Sequence, residues 1–311
     1  MEARHAVEIE HEPDYEALHA GASLSANLAA GAFAGIMEHT IMYPVDAIKT
    51  RLQVLNPSPA ALYDGMANAA AQMSAKEGFR SLWRGVSSVI LGAGPAHAVY
   101  FATYEGAKSA FGADSATEHH PFAIAAAGGC ATMASDALMN PFDVIKQRMQ
   151  VHGSPYNSVL DCARQVYRAE GTSAFYVSYP ATILMTIPFA AIQFAAYDSF
   201  SKIFNPKNEH DPLLHSMIGG IAGGLGAAAT TPLDVVKTLL QTRGTSSDPR
   251  IRKCNGLWGA ARVVYQLNGY RGFARGMTPR IVNMAPSTGI CWASYEMAKR
   301  YFAPPKGEAS V

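Results

Sequence analysis

Three stretches of this chain carry charge inside otherwise apolar sequence: PVDAIKTRLQ from Pro44, PFDVIKQRMQ from Pro141 and PLDVVKTLLQ from Pro232. Each sets an aspartate two residues after a proline, a lysine three residues later and a glutamine four beyond that. An acid and a cation at this spacing suit ion pairing between helices. A second set of groups suits metal coordination. Five residues before the three prolines stand His39, Asp136 and Ala227, with Glu38 beside His39 and Met37 and Met42 flanking it. Downstream lie three Tyr-acid pairs, Tyr104-Glu105, Tyr197-Asp198 and Tyr295-Glu296. Thirteen residues before those acids stand Gly92, Met185 and Asn283; twelve before stand Ala93, Thr186 and Met284. Imidazole, carboxylate, thioether and amide are ligands for a divalent first-row transition metal.

The elements that must position these groups repeat. The prolines lie 97 and then 91 residues apart, and a period that long means one unit copied three times. Further marks recur in order: EGFRSLWRG at Glu77, EGTSAFYVS at Glu170 and NGYRGFARG at Asn268, then Pro95, Pro188 and Pro286. The units are 24–114, 119–207 and 210–303, between an acidic tail (1–20), expected to be disordered, and a short end (304–311). Apolar periodicity predicts helices to about residue 54, near 65–76 and over 82–111 in the first unit. The second gives 121–150, 157–169 and 175–203, and the third 213–242, 257–267 and 275–302. Gly31 with Gly35 and Gly219 with Gly223 give small faces for close helix packing in lipid.

Only 16% of the residues are charged, against about 25% in soluble domains. Phe175–Tyr197 and Ile281–Tyr295 carry no charge at all, and Leu213–Leu233 only His215. A membrane span takes about 20 mostly apolar residues, so two candidates per unit give six spans. The fold class is an all-α membrane protein: six transmembrane helices as three pseudo-symmetric two-helix repeats with short matrix helices. Of 25 Lys and Arg, 18 fall between a unit's lysine and the start of its second span. Short basic loops prefer the cytoplasm-like side, which puts both termini on the opposite side. The four cysteines have no metal-finger spacing. No Gly-x-x-x-x-Gly-Lys loop, nucleophile elbow or HExxH is present, which excludes the common enzyme classes; GAGPAH at Gly92 follows no strand and is not a dinucleotide loop.

The threefold Pro-x-acid-x-x-base frame followed by the acid-Gly-x-x-x-x-aromatic-base-Gly element resembles the mitochondrial carrier family over nearly the whole chain. The resemblance implies a six-helix barrel in the inner mitochondrial membrane, with contact to lipid such as cardiolipin. It also implies a monomer working by alternating access, with both termini toward the intermembrane space. Pro44, Pro141 and Pro232 would kink the odd helices. Asp46, Asp143 and Asp234 would pair with Lys146, Lys237 and Lys49 as a matrix gate, braced by Gln53, Gln150 and Gln241. Glu105, Lys108, Asp198, Glu296 and Lys299 would form a cytoplasmic gate, weakened by Ser201 where a third cation is expected. Three pairs against two should bias the empty carrier toward a closed matrix gate.

On that frame the two ligand sets fall at nearly one depth: about 7.5 Å above one gate and about 18–20 Å below the other. His39, Asp136, Met185, Met284, Asn283, Glu38 and, on the way in, His97 would line the cargo site. No arginine is expected in it, which argues against phosphate or carboxylate cargo. GAFAGIMEHTIMYPVDAIKTRLQ, GAGPAHAVYFATYE and MNPFDVIKQRMQ are similar to the family's iron-carrying branch, which implies Fe²⁺ as the transported ion and no permanently bound cofactor. Spacing alone leaves Mn²⁺, Cu and Zn²⁺ open, with or without a small chelator. A small zwitterion or nucleotide, or a proton leak through His39 and Asp136, are the rival readings. Nothing in the pattern calls for nucleic acid.

Overall fold

A computed structural model describes residues 24–55, 63–112, 121–205, 212–284, 286–287 and 290. Among these residues all regular structure is helical. The long helices are α1 (Leu24–Gln53), α3 (Val86–Ala110), α4 (Pro121–Gln150), α7 (Tyr179–Phe204) and α8 (Pro212–Thr242). The chain is helical again from 277 to 284. Short helices α2 (Gly65–Glu77), α5 (Val159–Glu170) and α10 (Gly256–Asn268) follow each odd long helix, with one-turn helices α6 (Ser173–Tyr176) and α9 (Pro249–Arg252) between. Glu296, Lys299 and both tails lie outside the described residues.

The long helices run as neighbours, α1 beside α3, α3 along α4, α4 beside α7 and α7 along α8, and α1 also touches α4 and α8. Pro44, Pro141 and Pro232 sit inside α1, α4 and α8, where each removes a rung of the helical ladder. The residue before the proline ties its helix to the even helix of the same repeat in two of three cases. Tyr43 is fully buried and donates its hydroxyl to the Arg84 carbonyl at 3.0 Å. Asn140 donates to the Phe175 carbonyl and accepts from Ser178.

The even helices begin later than their hydrophobicity suggests, by four residues at Val86 and Tyr179 and by two at residue 277. Before α3 the chain makes a 3₁₀ turn (Phe79–Trp83) and then Gly85 takes φ +91°; before the last helix, Gly276 takes φ +71° after a similar turn. Only glycine adopts such angles freely. The second repeat has Ser178 there, at φ −90°, in ordinary helical conformation. Each short helix packs one face against the end of an odd helix, as with Ala69 and Met73 on Ala47 and Ile48. Cys162 and Val166 do the same on Ile145 and Met149, and Val264 on Val236 and Leu240. Cys162 and Cys254 are buried packing residues in these clusters.

Among the described residues, two segments, Phe79–Ala110 and Ser173–Phe204, are long and apolar enough to cross a membrane. Large apolar side chains nevertheless face outward from odd and even helices alike, among them Phe33, Ile41, Ile187, Phe194 and Ile221.

Candidate functional site

The three prolines set the three aspartates at one level, and the structure joins them into a ring across helices. Lys49 Nζ lies 2.8 Å from Asp234, Lys146 Nζ 2.8 Å from Asp46, and Lys237 Nζ 3.5 Å from Asp143. α1, α4 and α8 are thereby tied pairwise, and the ring is closed.

The three junctions are not equal. At α1/α8, Gln53 donates to Asp234 at 2.7 Å and accepts from Thr238 at 2.8 Å. At α1/α4, Gln150 accepts from Thr50 at 2.7 Å, and Arg51 Nε donates to the Gln150 carbonyl at 2.8 Å. At α4/α8 the lysine contact is the longest, and the buried amide of Gln241 has no hydrogen-bond partner at either atom among the described residues. The Gln241 carbonyl does accept from Arg148 Nε at 3.0 Å. The cause is sequence: Thr50 and Thr238 follow their lysines, but Gln147 follows Lys146, and its own Oε1 is buried without a partner.

The second cation of the frame has a role that its spacing did not announce. Arg51 is held in a fork by Glu77 at the end of α2, and Arg148 by Glu170 at the end of α5. Each acid also reaches the next repeat: Glu77 to His152 Nδ1 at 2.6 Å, Glu170 to Arg243 at 3.7 Å. Burial alone would raise the pKa of both acids. Hydrogen bonds and charge from the arginines outweigh it and hold both below the ordinary glutamate range. In the third repeat Leu239 and Asn268 replace the pair, and Leu55 joins Leu239, Leu240 and Val264 in an apolar cluster instead.

Above the ring, the metal-ligand candidates gather in parts. His97 of α3 faces α1: a Cβ built on Gly35 would stand 3.5 Å from its Nε2. His39 lies one turn further along α1. Glu38 accepts from Ser287. Asn283 directs Nδ2 to Asp46 at 3.5 Å and leaves its own Oδ1 buried and unbonded. Met284 packs on Gly223, its sulfur 3.3 Å from a Cβ built there. Asp136 is half-buried on α4, within electrostatic reach of Lys237 and Asp143. Among the described residues no three His, Cys, Asp or Glu side chains are close enough to hold an ion together.

The expectation that no arginine reaches this site is corrected. Arg280 is buried at 6% exposure. Its Nη2 lies 2.8 Å from Thr230 Oγ1 and 3.5 Å from Met185 Sδ, and its Nη1 lies 3.1 Å from Asp234. Sequence reading missed it by stopping one turn too early. The corresponding residues in the other repeats are Val89 and Thr182, so the position breaks symmetry as sharply as His39 does.

The threefold ring and its frame have a counterpart among known sequences. The sequence profile described as mitochondrial carrier protein matches residues 21–115, 117–208 and 208–306.

The chain belongs to the mitochondrial carrier family.

This places the carrier in the mitochondrial inner membrane as a multi-pass transporter rather than an enzyme. It is 52% identical over 292 residues to the mitochondrial RNA-splicing protein MRS3 of Saccharomyces cerevisiae, covering 93% of this chain and 92% of that protein. It is 51% identical over 286 residues to an uncharacterized mitochondrial carrier of Schizosaccharomyces pombe, covering 92% and 93%. It is 45% identical over 296 residues to human Mitoferrin-1, covering 93% and 86%. At the far end of the carrier, Glu105 is exposed, and neither it nor Lys108 makes an ion pair among the described residues. Asp198 pairs with Lys202 at 2.7 Å within α7 rather than across helices, and both side chains are exposed.

Proposed function

We propose that this carrier imports ferrous iron into the mitochondrial matrix by alternating access, supplying haem and iron–sulfur cluster synthesis. The observation that carries the reading is His97 facing α1 at Gly35, one turn from His39, above a closed ring of three acid–lysine pairs. Two imidazoles suit Fe²⁺, and Asp136, Asn283, Met185 and Met284 are the further donors in this reading. A set that is near but unassembled suits an ion that must leave again. The similarity to human Mitoferrin-1 supports the same cargo.

In this reading six helices form the barrel, three of them carrying the ring at the matrix mouth. Glu105, Lys108, Asp198, Glu296 and Lys299 form the opposite gate, which is open while the ring is closed. The basic loops put the ring end in the matrix and both termini in the intermembrane space. The carrier works as a monomer in contact with lipid such as cardiolipin, and iron arrives free or on a small chelator. Mn²⁺, Cu and Zn²⁺ compete according to availability.

The test is anaerobic uptake of Fe²⁺ into liposomes holding the purified carrier, with Mn²⁺, Zn²⁺, ATP and a zwitterionic amino acid as competitors. Inhibition by the metals alone supports the reading. Inhibition by ATP or the amino acid alone would replace it with a metabolite carrier, and steady ionic current would replace it with a channel.

A further inference from the structure

Arg280 joins two places that a transport cycle must keep in communication. One amino group of its guanidinium faces Asp234 of the ring, and the other faces Thr230 and Met185 at cargo level. Asp234 therefore holds two cations, Lys49 and Arg280, and the Gln53 amide; Asp46 holds one lysine and Asn283, and Asp143 one lysine. Arg280 and Asn283 lie one helical turn apart, so a single helix leans on two of the three ring acids.

We propose that Arg280 is the resident cation of the cargo site: it occupies the cation's place beside Met185 while the site is empty and yields it to the metal. The inference rests on the metal-cargo reading and adds a mechanism to it. Arg280 is charged at any physiological pH and is boxed in by burial, so a divalent ion cannot reach the Met185 sulfur while Nη2 stays 3.5 Å from it. Seating the ion displaces the guanidinium, and the same movement withdraws Nη1 from Asp234. Cargo binding thus removes one of the two cations from the strongest junction of the ring. An empty site keeps that junction fully paired, which prevents opening without cargo. No bond is made or broken covalently; the exchange is of one cation for another.

The experiment measures Fe²⁺ uptake kinetics of the full-length carrier in liposomes, kept anaerobic, for wild type, Arg280→Gln, Arg280→Lys and Thr230→Val. Removing the competing charge is expected to lower KM by about fivefold or more, the lower end of typical coupling between sites. Thr230→Val removes only the hydroxyl that seats Nη2 and shifts KM in the same direction. Arg280→Lys keeps the charge, but one ammonium cannot span Thr230 and Asp234, so its KM should fall between wild type and Arg280→Gln. Should Arg280→Gln fail to fold, the other two variants decide. KM unchanged or raised in Thr230→Val and Arg280→Gln overturns the proposal, and a raised KM would make Arg280 a binding group for an anion accompanying the metal. Wild type that takes up no divalent metal overturns the cargo reading and this inference together, whereas metal uptake by wild type with an unshifted KM in the variants overturns this inference alone.

Discussion

Lys146 and Asp46 meet at 2.8 Å in the one ion pair that Asp46 makes among the described residues, whereas Asp234 keeps Arg280 when Lys49 is taken away. Pair count alone would make the two junctions equivalent. We expect Lys146→Ala to open the ring more readily than Lys49→Ala. Breaking a buried pair costs about 3–5 kcal/mol, and Lys146→Ala should fall at the lower end because its two side chains keep 12% and 21% exposure. The readout is labelling of a cysteine placed at Thr186, with native cysteines replaced, by an impermeant thiol reagent from each side. Equal labelling of the two variants would refute the ranking.

Gly276 is fixed by two demands. Its φ of +71° disfavours any side chain, and a Cβ there would stand 2.7 Å from Gln53 Cγ, the residue that braces Asp234. Gly276→Ala should therefore lower stability by about 1–2 kcal/mol from the backbone alone, with a further loss from displacing Gln53. Ser178→Gly, at the same place in the second repeat, should leave ring closure intact because that backbone is already helical. Thermal unfolding in detergent compares them; equal melting points would contradict the account.

Glu77 and Glu170 supply the acid limb of the stability curve. Both carboxyls titrate below their unfolded value, so their contribution is complete above the unfolded pKa and is lost as pH falls through the folded one. Stability should drop below about pH 4.3, the ordinary glutamate value. Glu170→Gln should be less stable at neutral pH and show a flatter decline there. A decline as steep as wild type would mean that other acids govern it.

Asp136 has no hydrogen bond or ion pair among the described residues, so Asp136→Asn should leave the melting point nearly unchanged. Fe²⁺ uptake should fall severalfold, because an amide cannot supply the charge that a divalent ion uses. A melting point that collapses would assign Asp136 to the fold instead.

Much of this was legible in the sequence because repetition exposes what the scaffold demands. Three copies of one frame exposed Asp46, Lys49, Asp143, Lys146, Asp234 and Lys237, and the family resemblance supplied their pairing as Lys49–Asp234, Lys146–Asp46 and Lys237–Asp143. The same frame hid what differs by geometry rather than by type. Gln53, Gln150 and Gln241 are one residue at one position, yet their partners differ because Thr50, Gln147 and Thr238 differ beside them. Arg280 escaped because it was counted among loop cations, although its side chain turns inward to Asp234. Asp198 was read as a cross-helix gate acid, and among the described residues it pairs with Lys202 on the next turn of its own helix.

The most direct measurement is the initial rate of anaerobic Fe²⁺ uptake into liposomes by wild type and His39→Ala at equal protein and equal melting point. The account predicts saturable uptake by wild type and a rate roughly tenfold lower or less in the variant, since loss of even a supporting partner of a metal ligand costs about 10–100-fold. Uptake by His39→Ala at the wild-type rate would contradict it.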